Sequence, residues 1–193
     1  MNKAFKFFAA FLFTMTATGQ TLPYATIPEH PTEYTAATVT ARMIDGLGFR
    51  FYWATEGLNE ADMDMQGTDE ARTIGDTYRH VRDLSNGILR TVSKEPIVSV
   101  EYGEKTFQEI RTQTLQNLYQ AANILRESTD TDMKEMEVVF KRGDSESRFP
   151  FWNLINGQIA DAVWHAGQIV TLRRIAGNPI NPKVNVFMGK LNN

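Results

Sequence analysis

Cysteine is absent from this chain of 193 residues. That absence excludes disulfides, thiolate nucleophiles, thiolate zinc sites and lipid attachment through an N-terminal cysteine. Histidine is scarce, with His30, His80 and His165 as the full set, so a metal here must be held by oxygen and very few nitrogens. No charge of one sign dominates either. A formal net charge of −3 argues against a polybasic nucleic-acid binder. What is present is ordinary for a folded protein: 42% hydrophobic and 22% charged residues, a length suited to one domain, and no disordered or collagen-like bias.

The chain has one continuous apolar run, and it lies at the start. Lys3 and Lys6 precede Phe7-Phe8-Ala9-Ala10-Phe11-Leu12-Phe13, which is too short for the ~20 residues a spanning helix needs. Small residues at Ala17 and Gly19 place a cut after Gly19, the pattern of a secretory signal peptide. Residues 1–19 are therefore expected to be an export signal, leaving no stable membrane anchor and a periplasmic or secreted chain. Without Lys3 and Lys6, 18 basic residues face 23 acidic ones, a net charge of −5, which suits neither phosphate backbones nor anionic lipid surfaces.

The proline-punctuated stretch 20–34 (Pro23, Pro28, Pro31) predicts an extended arm. Four helical periods follow. The first runs from Thr35 to Glu56, with Ile44, Leu47, Phe51 and Ala54 at helical steps, Phe49, Tyr52 and Trp53 on a second stripe, and Gly57-Leu58 as a left-handed cap. The second is expected to start near Thr68 as N-cap, to turn Thr77, His80, Val81, Leu84 and Ile88 inward, and to expose Arg72, Asp76, Arg79 and Asp83. The third opens on the capping box Thr106-Phe107-Gln108-Glu109 and carries Phe107, Ile110, Thr114, Leu118, Ala121 and Leu125. Val138-Val139-Phe140 predicts at most one short strand-like piece. The fourth period runs from Pro150 to Ala176, where Gly177-Asn178-Pro179 stops it. Gly157 and Gly167 weaken it by ~1 kcal/mol each relative to alanine, which predicts close helix or ligand approach there. The expected fold class is all-α: an up-and-down four-helix bundle over 35–177, with the arm before it, a β-prone connection ahead of the last helix and a tail over 178–193.

Asp161 and His165 stand four apart, on one face of the last helix, in a stretch (153–172) otherwise free of charge. A buried carboxylate needs a partner, and a cation is one. His80 on the second helix can complete a three-ligand set that leaves coordination positions open, as in catalytic zinc and non-haem iron sites. Spacing alone leaves a second reading open, in which Asp161 simply orients His165. His30, in the arm between Glu29 and Pro31, has no periodic context and reads as solvent-exposed. Arg173 and Arg174 suit the negative end of the helix dipole. Trp53, Phe151, Trp152 and Trp164 read as core, with Trp164 also placed to wall a site at His165.

The segments Asp76-Thr77-Tyr78-Arg79-His80-Val81 and Asp161-Ala162-Val163-Trp164-His165-Ala166-Gly167-Gln168-Ile169, with Leu172-Arg173-Arg174 and Gly177-Asn178-Pro179, together resemble the DinB-like superfamily over 35–177. The resemblance implies a four-helix bundle in which one histidine of the second helix and two residues four apart on the last, usually both histidines, bind a divalent metal. His80 and His165 match those positions, and Asp161 stands where a histidine is usual, making the site harder and more oxygen-like. Zinc, nickel, iron and manganese all remain open. The family contains thiol-cofactor transferases, a mycothiol-dependent isomerase and proteins labelled metal-dependent hydrolases, and many such bundles pair as homodimers along a helix face. An exported member is poorly placed to use cytoplasmic thiol cofactors, so metal-dependent hydrolase- or transferase-type chemistry on a small molecule is the leading expectation. A non-catalytic small-molecule-binding or stress-associated bundle, with or without metal, is the alternative. Catalytic residues stay unassigned, with Glu56 as a general-base candidate.

Overall fold

The computed structural model describes residues 21–99, 103 and 105–193; the expected signal segment lies outside them. The fold is mostly helical with a small mixed sheet. Its long helices are α1 (Ala36–Thr55), α2 (Ile74–Val92), α3 (Phe107–Arg126) and α6 (Ala160–Ile175), with a short α4 (Asp130–Glu135) and a single turn α5 (Trp152–Leu154) between α3 and α6. Strands β1 (Ile97–Val98), β2 (Glu137–Arg142) and β3 (Ser145–Pro150) form one sheet, and β4 (Val184–Asn185) with β5 (Lys190–Leu191) a two-stranded hairpin near the C-terminus. Among the described residues, no helix is long and apolar enough to cross a membrane.

Local chemistry accounts for the helix limits. α1 is capped by Thr35 and stops where Gly57 takes φ +74°, with Leu58 buried beyond it. α3 begins on the Thr106/Glu109 capping box: the Thr106 N–H donates to Glu109 Oε2 at 2.8 Å and the Glu109 N–H to Thr106 Oγ1 at 3.3 Å. All six residues expected on its apolar stripe are buried. α2 starts later than expected. Thr73, not Thr68, is its N-cap and accepts from the Asp76 N–H at 3.0 Å. The chain before it folds back as turns, with the N–H groups of Ile74 and Gly75 donating to the carbonyls of Met65 and Met63 at 2.9 Å, so helix cannot extend upstream.

The expected up-and-down order does not hold. α1 and α2 each pack on both α3 and α6. Arg111, early in α3, bonds Thr55 at the end of α1, and Arg126, at the end of α3, bonds Asp45 in the middle of α1; these two helices are antiparallel. Tyr78 meets Phe107 while Ser85 meets Asn117, so α2 and α3 run the same way. A parallel neighbour requires the chain to return along the helix before α3 begins, and the described part of that return contains β1 (Ile97–Val98).

The sheet is larger than one strand-like piece. β1 pairs parallel with β2, and β2 antiparallel with β3, whose residues are all exposed. The Arg142↔Ser145 register leaves Gly143-Asp144 as a two-residue loop, with Gly143 at φ +59°; glycine first is the pattern of a type II′ hairpin turn. Pro150 ends β3 rather than opening a helix. The expected continuous last helix is likewise broken into α5, a π-helical turn over Ile155–Ile159 with Gly157 at φ −89°, ψ −107°, and α6. Neither Gly157 nor Gly167 has a neighbour within 4 Å of the place a Cβ would take. The closest approaches fall at Gly48, where a Cβ would run into the Tyr24 ring, and at Gly189, where it would lie 2.7 Å from Ile27; Gly87 is also tight, at 3.3 Å from Ile97.

The arm is pinned rather than free. Tyr24, buried, donates to Asp45 Oδ1 at 3.2 Å, and the Ile27 N–H donates to the Gly189 carbonyl at 2.8 Å. Arg173, only 2% exposed, reaches across to α1 and donates to the carbonyls of Trp53, Ala54 and Glu56. It therefore serves another helix's C-terminal carbonyls more than its own dipole. Trp152 and Trp164 are not core, at 75% and 71% exposure.

Candidate metal centre

α2 and α6 are neighbours, and their packing brings together the three residues singled out by spacing. Asp161 Oδ2 lies 3.2 Å from His80 Nε2, and Asp161 Oδ1 lies 3.2 Å from His165 Nε2. The imidazole rings stand nearly perpendicular, 84° apart, with centroids separated by 4.7 Å. One donor atom from each residue falls within 4.8 Å of the others, close enough to hold a metal ion. With metal–ligand bonds of ~2.0–2.2 Å, two neighbouring ligands of one ion stand about 3.0–3.4 Å apart, so 3.2 Å is compatible with a shared ion as well as with the hydrogen bond between His80 Nε2 and Asp161 Oδ2. A nitrogen, nitrogen, oxygen set fits a divalent first-row metal.

Each residue's position has a local cause. Asp161 is in the first turn of α6, where the helix dipole favours a carboxylate. His165 is one turn further, with a side chain only 12% exposed, while His80 and Asp161 keep 32% and 39%. The constellation is buried on the His165 side and open to solvent at the carboxylate, which leaves room for water or ligand.

Gln168 was not assigned a role by sequence reasoning, although its position three residues after His165 carries the signal. Its Oε1 accepts from His165 Nδ1 at 2.7 Å. With the proton on Nδ1, the His165 Nε2 lone pair points at Asp161. Such outer partners fix the tautomer of a metal-binding imidazole, and their loss costs ~10–100-fold in metal affinity. Gln168→Ala is expected to weaken zinc binding by about that factor, measured by competition titration against a chromophoric chelator, with the helical signal in circular dichroism unchanged.

The other expected participants are elsewhere. His30 sits in the arm, its Nδ1 3.1 Å from the Pro31 carbonyl oxygen, and is not in the cluster. Glu56 is not in the cluster, and its carboxylate is paired with the Arg111 guanidinium. Arg111 itself is held by Thr55 Oγ1 at 3.0 Å and lies over the Tyr52 ring.

A groove of about 450 Å³ opens beside the triad, with Asp161 in its wall. Leu84, Ile97, Val138, Phe140 and Phe149 supply its apolar surface, and Asp83, Asn153 and Gln158 its polar groups. Asp83 follows His80 by three residues, and its Oδ1 accepts from Arg82 Nε and Nη2 at 3.0 and 2.9 Å.

No family model, no curated protein and no solved structure matches this chain.

Proposed function

We propose that this chain is an exported DinB-like protein that binds one divalent metal through His80, Asp161 and His165 and uses it in hydrolase- or transferase-type chemistry on a small molecule. One observation carries the reading: the two oxygens of Asp161 each lie 3.2 Å from an imidazole nitrogen, Oδ2 from His80 Nε2 and Oδ1 from His165 Nε2, and where Gln168 takes the Nδ1 proton of His165 the latter nitrogen faces the carboxylate with a lone pair. Two electron-rich atoms at that distance repel unless positive charge stands between them. A metal ion supplies that charge to both histidines and the aspartate together, whereas a proton must charge the ring. The DinB-like assignment is supported by the residue pattern around His80 and His165, and the exported location by Lys3, Lys6, the apolar run and the small residues before Gln20.

A bound divalent ion supplies Lewis-acid polarisation of a substrate oxygen and activation of water near neutral pH. The protein's own contributions are distinct. Asp161 lowers the net charge of the centre, Gln168 orients His165, and the exposure at Asp161 leaves the approach open. The adjoining apolar groove shields a ligand's body from water.

The test is elemental analysis of protein purified without added metal, followed by turnover assays on ester, amide and phosphoester panels after loading with zinc, nickel, manganese or iron. About one ion per chain together with turnover on one panel is expected. Wild-type protein that holds no ion, even after loading, would overturn the metal assignment. A loaded protein inert on every panel would make the site a binding centre.

A further inference from the structure

Gln158 lies in the π-helical turn just before α6. It is nine-tenths buried, lines the groove beside Asp161, and its side-chain amide has no hydrogen-bond partner among the described residues. The body of the side chain is packed away while its amide nitrogen and oxygen still reach the solvent of the groove, so its donors and acceptor are free to meet a ligand there. Around it the walls are apolar: Leu84 from α2, Ile97 from β1, Val138 and Phe140 from β2 and Phe149 from β3. Gly87 keeps this space open, since a Cβ there would lie 3.3 Å from Ile97 Cδ1 and 3.4 Å from Gln158 Cγ. The π-helical turn shifts the helix by one residue relative to an α-helix, which is a frequent device at functional sites.

We infer that this groove is a binding site for carboxamides with an apolar acyl or aryl body, whose amide group pairs with Gln158. The inference rests on the metal reading only in assigning the amide's neighbour on the same wall, Asp161, to a metal centre. A glutamine side chain offers both N–H donors and a carbonyl acceptor. A carboxamide offers the complementary pair, an oxygen that accepts and an N–H that donates, whereas an ester offers acceptors only. The apolar body takes the place of water against Ile97, Val138 and the two phenylalanines. Mostly apolar walls with a few convergent polar groups are the usual make-up of a small-molecule site, and about 450 Å³ falls within the usual range for one. Asp161, in the same wall, brings the triad to the edge of the groove.

The experiment uses the full chain with methyl-labelled isoleucine, leucine and valine, and two probes, 4-phenylbutanamide and acetamide, each titrated into metal-loaded and chelator-treated protein. We expect 4-phenylbutanamide to shift the Ile97 and Val138 methyl resonances and to bind at least tenfold more tightly than acetamide. Gln158→Leu is expected to weaken 4-phenylbutanamide about tenfold while leaving the melting temperature of the ligand-free protein essentially unchanged, because the amide it removes is unpaired and open to the groove. Gly87→Leu, which fills the groove, is expected to abolish the methyl shifts. Equal affinity for both probes, unmoved methyls, or a Gln158→Leu protein that binds 4-phenylbutanamide as tightly as before would each overturn the inference. Failure of the metal reading looks different: wild-type protein then holds no ion, while the methyl shifts persist with and without chelator.

Discussion

Protein with His165→Ala is expected to lose stoichiometric metal, with affinity falling by at least about a hundredfold, since even losing an outer partner of a ligating histidine costs ~10–100-fold. His165 is the most enclosed member of the set and the one whose tautomer is held by a neighbour, so its removal leaves two ligands on a more exposed surface. The same loss should appear as stability. An ion present at a hundred times its dissociation constant stabilises the fold by ~2.7 kcal/mol, which for a chain of this size is about 5–10 °C in melting temperature. Chelator should therefore lower the melting temperature of wild type and leave that of His165→Ala unchanged. If chelator has no effect on wild type, the triad is a structural hydrogen-bonded group. Asp161→His is expected to shift preference the other way, tightening zinc and weakening manganese, because it replaces a hard oxygen donor by imidazole.

The second large effect lies away from the triad, at Arg173. Burial pushes its guanidinium below the usual arginine range, opposed by the Asp62 and Glu56 carboxylates. Its N–H groups donate to Ala54 O at 3.0 Å, Glu56 O at 2.8 Å and Trp53 O at 3.3 Å, and to Asn178 O at 2.6 Å and Oδ1 at 3.0 Å. The last carbonyls of a helix have no partner within it, and here one side chain satisfies those of α1 while tying α1 to the end of α6. Arg173→Met keeps the apolar stem but strands these acceptors in a buried place. A cost of about 3–5 kcal/mol is expected, as for breaking a buried charged network, or roughly 10 °C in melting temperature. Urea unfolding read by circular dichroism checks it. A midpoint shift equivalent to less than ~1 kcal/mol, the size of an ordinary point mutation, would show that solvent reaches those carbonyls.

Some elements were legible because their causes are local. The Thr35–Glu56 and 106–125 periods became α1 and α3 almost to the residue, since capping hydroxyls, a left-handed glycine and an apolar stripe act within one turn of chain. The start of α2 misled because Thr68-Asp69-Glu70 is an adequate cap with nothing local against it. What displaced it was a fold-back in which Met63 and Met65 take the N–H groups of Gly75 and Ile74. β3 was illegible because Ser145-Glu146-Ser147-Arg148 has no apolar alternation; it is a strand by virtue of its ladder to β2. Nor could spacing show that the last helical period breaks at Gly157, leaving Gln158 buried in the groove wall. Arg173 looked like a dipole partner of its own helix, and only the packing of α6 against α1 gave it another helix's carbonyls.

For the triad, the division is clear. The sequence by itself determined which donor types exist, because without cysteine and with three histidines the options are few. It also determined that Asp161 and His165 share a helix face, because four residues make about one turn. Whether His80 joins them depended on α2 lying beside α6, and that is set by non-local burial. The parallel α2/α3 pair, the crossover between them and the β1–β2–β3 wall are contacts between residues distant in the chain. Their free energy comes from removing apolar surface from water on several elements together, and no local pattern encodes which surfaces meet.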